Sequence, residues 1–218
     1  MMINRGITID DVHTYHDLNL ILSASEIPPA KPKTKYVQVP GADGSLDLTE
    51  AIGEVRFSDR DLKFTFVFIP DGVTTFEEKR TEVVNLISGK RCKITLDSDE
   101  EYYFEGRCTI DSYKKDKNRH QMVIKMTASP YKFKQDVTRK TIALTGTATS
   151  VKISNGRRSV VPLIHCTNDN TVVSFGNGIF NLTAGTHKIL DIQFKEGNNE
   201  VTVSGSGTVT FEYQEGDL

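Results

Sequence analysis

The sequence VPGADGSLDLTEAIG at residues 39–53 is followed closely by LKFTFVFI at residues 62–69. The first segment is rich in Gly, Pro and Asp, which favour turns. The second alternates, and the residues of one parity are Leu62, Phe64, Phe66 and Phe68. A period of two with aromatic and β-branched residues predicts a half-buried strand. This strand, which the turn residues Pro70-Asp71-Gly72 should end, is the starting point for a fold built on a β-sheet.

One amphipathic helix is predicted over residues 75–89. Thr75 and Glu78 have the spacing of a capping box, and Gly89 suits a left-handed helix end. The apolar positions that share one face are Phe76, Val83, Val84 and Ile87. The positions expected to face solvent are Glu77, Lys79, Arg80 and Glu82. A lone helix of this length must lay its apolar face on a sheet to be stable.

Three alternating segments after the helix predict an antiparallel meander. They are Arg91 to Leu96, Glu101 to Asp111 and His120 to Ala128, and short polar turns join them. Gly106 is a candidate β-bulge within the second.

The sequence pattern changes in the C-terminal part, which has no helical periodicity. Its short β-type segments are Val160–Cys166, Thr171–Phe175, Gly178–Leu182, His187–Phe194, Glu200–Ser204 and Thr208–Tyr213. Gly and Asn pairs separate them, which is typical of a jelly-roll β-sandwich. The sequence therefore predicts a mainly β protein in two domains. Residues 1–135 form a β-sheet domain with one flanking helix, and residues 136–218 form the sandwich.

Composition narrows the functional classes. The net charge of −2 gives no basic surface for nucleic-acid recognition, and no apolar stretch is long enough to insert in a membrane. The basic run Lys114, Lys115, Lys117 and Arg119 is interpreted as a solvated hairpin tip, with a phosphate-binding patch as the alternative. Cys92, Cys108 and Cys166 form no metal-binding pair and are expected to be reduced and buried.

Candidate catalytic and metal-binding residues are few. His13 and His16 are spaced for a metal on a helix, but no third ligand accompanies them. His165 and Cys166 are adjacent, so in a strand they would point to opposite faces. The acidic run Asp97, Asp99, Glu100 and Glu101 lacks the pattern of a calcium loop. We therefore predict no enzyme, no cofactor and no metal, although paired glycosidase carboxylates need no fixed sequence spacing.

The order of several short motifs resembles the distal tail (Dit) proteins of long-tailed phages and prophages. In the first part these motifs are Val39-Pro40-Gly41, Leu46-Asp47-Leu48-Thr49, the Arg60-x-Leu-x-Phe-x-Phe strand and Ala128-Ser129-Pro130-Tyr131-Lys132. In the second part they are Asn155-Gly156, Asp191-Ile192, Gly197-x-Asn199-x-Val201 and Tyr213 to Leu218. The resemblance extends over most of the chain and depends on the order of the motifs.

The resemblance implies a structural protein that forms a hexameric ring at the virion tail tip, after assembly in the bacterial host cytoplasm. Such a ring, single or as two stacked rings, joins the tail tube to the baseplate proteins that adsorb to the host. The implied partners are other copies of the chain, the tail tube protein, the tape-measure protein, and a tail-associated lysin or fibre protein. The C-terminal domain is implied to have a galectin-like or carbohydrate-module-like fold. The alternative function is a carbohydrate-binding module with an adaptor domain.

A ring needs a contact between two different patches on neighbouring copies. The segment 39–53 is a candidate for one patch, through its apolar residues Val39, Leu46, Leu48 and Ile52. Packing of the same residues in the core of their own chain is the competing interpretation. Unpaired edge strands in either domain are further candidates.

Overall fold

The computed structural model describes residues 6–51, 53–68, 70, 75–115 and 120–218. The chain divides into two compact units, of which the first ends at Lys132 and the second is Phe133–Leu218. The elements of the first unit are β1 (Ile7–Ile9), β2 (Val12–His13), β3 (Leu20–Glu26), β4 (Tyr36–Gln38), β5 (Ser45–Asp47), β6 (Arg60–Phe68), α1 (Phe76–Ile87), β7 (Arg91–Leu96), β8 (Asp99–Lys115) and β9 (His120–Ala128).

The main sheet of the first unit is antiparallel, with the strand order β2-β1-β7-β8-β9-β6-β3. Alternate side chains of β6 from Leu62 to Phe68 are buried, as the sequence predicts. They pack with Ile124 and Met126 of β9 and with Val83 and Ile87 of the helix in one core. Ile69 and the turn predicted at Asp71-Gly72 lie outside the described residues.

The helix begins with the predicted capping box. The Glu78 N–H donates to Thr75 Oγ1 at 3.3 Å, and the Thr75 N–H donates to Glu78 Oε2 at 2.7 Å. The prediction that Lys79 faces solvent is wrong, because Lys79 is only 8% exposed. It lies three residues after Phe76 and four before Val83, so it shares their buried face. Its ammonium group is satisfied by Glu82 Oε2 at 2.9 Å.

The bulge predicted at Gly106 is also misplaced. Gly106 pairs regularly with Cys92 and with Ala128, and the register shifts instead between Ile110 and Ser112. A Cβ at Gly106 would lie 2.2 Å from the Thr127 carbonyl oxygen. Glycine is therefore needed here for close approach of two backbones.

The second unit is a sandwich of two four-stranded antiparallel sheets, with the orders β11-β18-β13-β16 and β12-β17-β14-β15. Its eight strands are β11 (Thr138–Thr145), β12 (Thr149–Asn155), β13 (Leu163–Cys166), β14 (Thr171–Phe175), β15 (Gly178–Leu182), β16 (Gly185–Lys188), β17 (Gly197–Ser204) and β18 (Ser206–Tyr213). Two short strands outside these sheets, β10 (Lys132–Lys134) and β19 (Gly216–Asp217), pair with each other. Side chains of both sheets, such as Ile164 and Val201, meet in a second core. The predicted fold class, mainly β with one flanking helix and a C-terminal sandwich, is confirmed.

Two details of the second unit differ from the prediction. Strands β11 and β12 were not foreseen, because Ile142 and Ile153 are the only buried apolar residues in them and the alternation is weak. The strand predicted over residues 187–194 is wrong beyond Lys188. There the Ile192 N–H donates to the Ile189 carbonyl in a turn, and Phe194 forms only an isolated bridge with Val160.

Candidate assembly interface

A two-stranded hairpin leaves the main sheet between β3 and β6, and we call residues 31–58 the arm. At its base the Lys33 N–H donates to the Arg56 carbonyl at 2.7 Å, and the Ser58 N–H donates to the Lys31 carbonyl at 2.8 Å. Further out, β4 and β5 pair only with each other and form a separate small sheet. These bonds join the two sides of the arm at its base, and the strands further out have no partner in the main sheet.

The turn residues of the sequence shape the outer end of the arm. Gly41 and Gly44 have φ angles of +79° and +77°, in the left-handed region that favours glycine. Asp47 accepts hydrogen bonds from the Thr49 hydroxyl and the Thr49 N–H, and these bonds hold the pKa of Asp47 below its usual value. The conformation of the tip is thus encoded locally, in the segment PGADG and its polar flank.

Apolar side chains of the arm are exposed to solvent. Val39 is 45% exposed and Leu46 is 54% exposed, so the structure does not place either in the core of its own chain. Leu48 is half-buried, and Ile52 lies outside the described residues. Tyr36 and Val37 on β4 are exposed as well, and the sequence did not single them out. Val37 is the register partner of Leu46 and has the same parity as Val39, whereas Tyr36 points to the opposite face. We call Val37, Val39 and Leu46 the arm patch.

An isolated two-stranded hairpin is at best marginally stable in water. Burying a large apolar side chain contributes roughly 1.5–3 kcal/mol relative to leaving it exposed. Cover from another protein surface would therefore stabilise both the patch and the hairpin that carries it. A period-two sequence pattern does not distinguish a strand that another protein surface covers from a strand that its own chain covers.

Among the described residues, the short strand β2 forms one edge of the main sheet, and two longer stretches of strand edge are unpaired at other places. One is β3, which ends the strand order on the β6 side. The other is the distal half of β8, because β7 pairs with β8 only as far as Arg107, while β9 continues to pair as far as Lys115. Among the described residues no strand covers the β7 side of β8 from Cys108 to Lys115. The helix contacts this stretch, since the Arg80 guanidinium lies 4.0 Å from the centre of the Tyr113 ring, and the bulge after Ile110 falls in the same stretch.

Near the N-terminus, the two ring nitrogens of His13 already have hydrogen-bond partners within the fold. His13 Nε2 lies 3.0 Å from Asp97 Oδ1, while His13 Nδ1 accepts from the N–H groups of Tyr15 and His16. The described part of the chain contains no group of three or more side chains arranged to hold a metal ion.

The other candidate chemical groups are likewise separated or engaged. His165 Nδ1 lies 2.9 Å from Thr186 Oγ1 on the outer face of its sheet. The adjacent Cys166 is buried on the inner side, and burial raises the pKa of its thiol. Asp99 of the acidic run forms an ion pair with Lys132 at 2.7 Å.

The basic run is described only in part. Lys114 and Lys115 lie at the exposed end of β8, and Lys115 Nζ is 3.8 Å from Glu77 Oε1. Lys117 and Arg119 lie outside the described residues. No helix among the residues that the structure describes is long and apolar enough to cross a membrane.

The aromatic side chains of the sandwich do not offer an exposed platform for a sugar. Phe194, Phe211 and Tyr213 are buried, and Phe175 and Phe180 are half-buried against the same core. Sugar binding by stacking needs an exposed aromatic face. The carbohydrate-binding alternative therefore gains no support from these five side chains.

Comparison with known proteins identifies the class. The family described as phage tail protein RIFT-related domain matches residues 11–145, which is more than half of the chain. The chain belongs to this family of phage tail proteins. A sequence search of the curated proteins finds no match.

The fold is similar to that of solved phage tail proteins. The chain is similar to the Dit protein of phage SPP1, described as a paradigm of the hub adsorption apparatus in phages that infect Gram-positive bacteria. The TM-score is 0.68 with 15% identity, over 98% of this chain and 99% of the other. Chains of the activated phage p2 baseplate with Sr and with Ca give TM-scores of 0.46 and 0.44 and identities of 10% and 8%. They align over 97% and 98% of this chain and 98% of each p2 chain.

The family and the fold together confirm the resemblance to the distal tail proteins. The protein is a structural component of a phage tail, with the fold of a distal tail protein.

Proposed function

We propose that copies of this chain close into a hexameric ring at the tail tip. The ring joins the tail tube to the baseplate proteins that adsorb to the host. The observation that carries the proposal is the arm patch, which is apolar, exposed, and displayed on a hairpin whose two strands pair only with each other. The likeness in fold to SPP1 Dit, a hub protein, supports the same role.

Two contacts between neighbouring copies would close the ring. In the first, the arm patch of one copy packs on the next copy. In the second, β3 of one copy adds to the distal half of β8 in the next, which β7 leaves unpaired, so that the sheets become continuous. These two edges are different patches at separate places in one sheet, which is the arrangement that a closed ring requires. A sheet continued from copy to copy would form a barrel around a central channel.

The function in this proposal is geometric and involves no catalysis. One side of the ring docks the tail tube protein and the end of the tape-measure protein. The other docks a tail-associated lysin or fibre protein. Two rings can stack in the absence of these partners. We place the assembled protein at the virion tail tip and its assembly in the host cytoplasm.

The direct test shortens the arm without disturbing the main sheet. Residues 36–47 are replaced by Asn-Gly, because Lys35 and Leu48 are already joined by a backbone hydrogen bond of 2.8 Å. Light scattering after size exclusion, with negative-stain images, should show rings for the unmodified chain and monomers for the shortened one. Rings that survive the shortening would rule out the arm as the closing contact.

A single substitution tests the apolar patch itself. Leu46→Asp should prevent ring formation, because a carboxylate would have to be buried in the contact. The matched control is Leu190→Asp in the second unit, since Leu190 is 76% exposed but lies outside the arm. Equal loss of rings in both variants would point to general repulsion rather than to a specific contact.

A further inference from the structure

An open groove of about 470 Å³ lies over one end of the main sheet. Its lining includes Asp59, Arg91, Arg107, Thr109, Thr127 and Ser129. Arg91 and Arg107 are exposed, and their side chains lie on the face of the sheet opposite to that of the buried neighbours Cys92 and Cys108. The groove is therefore distinct from both the arm patch and the core.

Two positive charges directly oppose each other in this groove. Arg91 on β7 and Arg107 on β8 are register partners. Like charges at directly opposite positions in a sheet destabilise it. Arg91 has a compensating carboxylate, since its Nε lies 3.2 Å from Glu105 Oε1. Arg107 Nη1 instead donates to the neutral Gly89 carbonyl at 2.9 Å, and no carboxylate among the described residues forms an ion pair with it.

In a second pair of like charges on the same sheet, carboxylates compensate both positive charges. Lys63 on β6 and Lys125 on β9 are also register partners. Here each cation has its own carboxylate: Lys125 Nζ lies 3.0 Å from Asp61 Oδ2, and Lys63 Nζ lies 4.0 Å from Asp111 Oδ2. In the arginine pair only Arg91 has such a carboxylate within the described part of the chain, so this pair has one ion pair fewer than the lysine pair.

We propose that the groove binds an oxyanion, a carboxylate or a phosphate group, against the Arg107 guanidinium. An arginine presents its N–H groups as a planar fork that matches both anions. The bond to Gly89 uses Nη1, so it fixes the guanidinium while leaving other N–H groups for a ligand. Arg91 contributes a second positive charge, and the hydroxyl groups of Thr109 and Ser129 supply neutral donors along the groove.

The position of Asp59 sets the orientation of the ligand. Asp59 precedes β6, whereas Arg107 is on β8 and Arg91 on β7, two and three strands away from β6 in the order of the sheet. The anionic group of the ligand therefore binds at the β7–β8 end of the groove. This site lies within one copy of the chain and does not depend on ring closure.

The test uses the full chain and two small probes, inorganic phosphate and succinate, at constant ionic strength. Amide chemical shifts in residues 91, 107, 109 and 127 should change saturably with at least one probe. Binding of phosphate alone identifies a phosphate ligand, binding of succinate alone a carboxylate ligand, and binding of both an oxyanion site of either kind. The absence of saturable binding for both probes would overturn the proposal.

Variants distinguish binding at the Arg107 guanidinium from a general effect of the net charge of the protein. Arg107→Gln should weaken binding about tenfold or more, in keeping with the loss of a charge-assisted hydrogen bond. Arg107→Lys keeps the charge without the fork and should weaken it less. The matched control is Lys63→Gln, which removes the same charge from the same sheet outside the groove. An equal loss in Lys63→Gln and Arg107→Gln would show that the anion responds only to net charge.

Discussion

Strand β6 and the arm have similar sequence patterns, but the apolar side chains of β6 are buried and those of the arm are exposed. Both alternate apolar and polar residues, and both lie in antiparallel β-structure. In β6 the apolar side chains of Leu62, Phe64 and Phe66 are fully buried beneath the helix and neighbouring strands. In the arm, Val39 and Leu46 are about half exposed. Alternation therefore shows that one face of a strand is to be covered, but not which molecule covers it.

The largest expected effect distinguishes the two regions by stability. Phe64→Ala should lower the free energy of unfolding of the first unit by about 3–5 kcal/mol, because it leaves a cavity in a packed core. Leu46→Ala in the arm should change the stability of the monomer by less than about 0.5 kcal/mol. Urea unfolding of dilute, monomeric protein measures both values. A comparable loss in the two variants would remove the distinction between core and arm.

A smaller effect is expected where the helix that covers β6 begins. Thr75→Ala removes the capping hydroxyl and should cost about 1 kcal/mol. Thr81→Ala in the same helix is the control, because Thr81 is exposed and donates only to the Glu77 carbonyl. Thermal unfolding should rank Thr75→Ala clearly below Thr81→Ala. The reverse order would show that the capping box contributes little.

The smallest effect concerns acid stability of the main sheet. Hydrogen bonds from Thr127 and then from Lys125 hold the pKa of Asp61 below its ordinary value of 3.8. Because the folded state lowers this pKa, the stabilisation is present above pH 3.8 and is lost as the pH falls below it. The free energy of unfolding of Asp61→Asn should therefore fall slightly less than that of the unmodified protein as the pH drops below 3.8. Identical acid titrations of the two proteins would show that Asp61 contributes nothing; Asp61 is largely exposed, so we expect a modest difference.

The sequence predicted the elements whose signals are strong and local. The β6 alternation and the Thr75–Glu78 capping box were of this kind, and each is present. Strands β11 and β12 were missed because they are edge strands with few inward apolar residues, so tertiary pairing rather than pattern defines them. Lys79 was assigned to solvent by its charge, although helical spacing placed it on the buried face.

The candidate interface was only partly accessible to sequence reasoning. Val39 and Leu46 could be named as apolar residues in a turn-rich segment, but their exposure follows from the way the arm leaves the main sheet. Val37 belongs to the same patch and was missed, since it precedes the segment that the motif marks. The Arg91–Arg107 opposition depends on strand register, which one sequence does not specify.

The measurement that tests the arm's role most directly is hydrogen exchange at low and high protein concentration. We predict that amides of β6 are protected at both concentrations, because their cover comes from the same chain. Amides of β4 and β5 should exchange quickly in the monomer and slowly in the ring, because their cover comes from a neighbour. Arm amides that are equally protected in the monomer, or that remain unprotected within an assembled ring, would contradict the account.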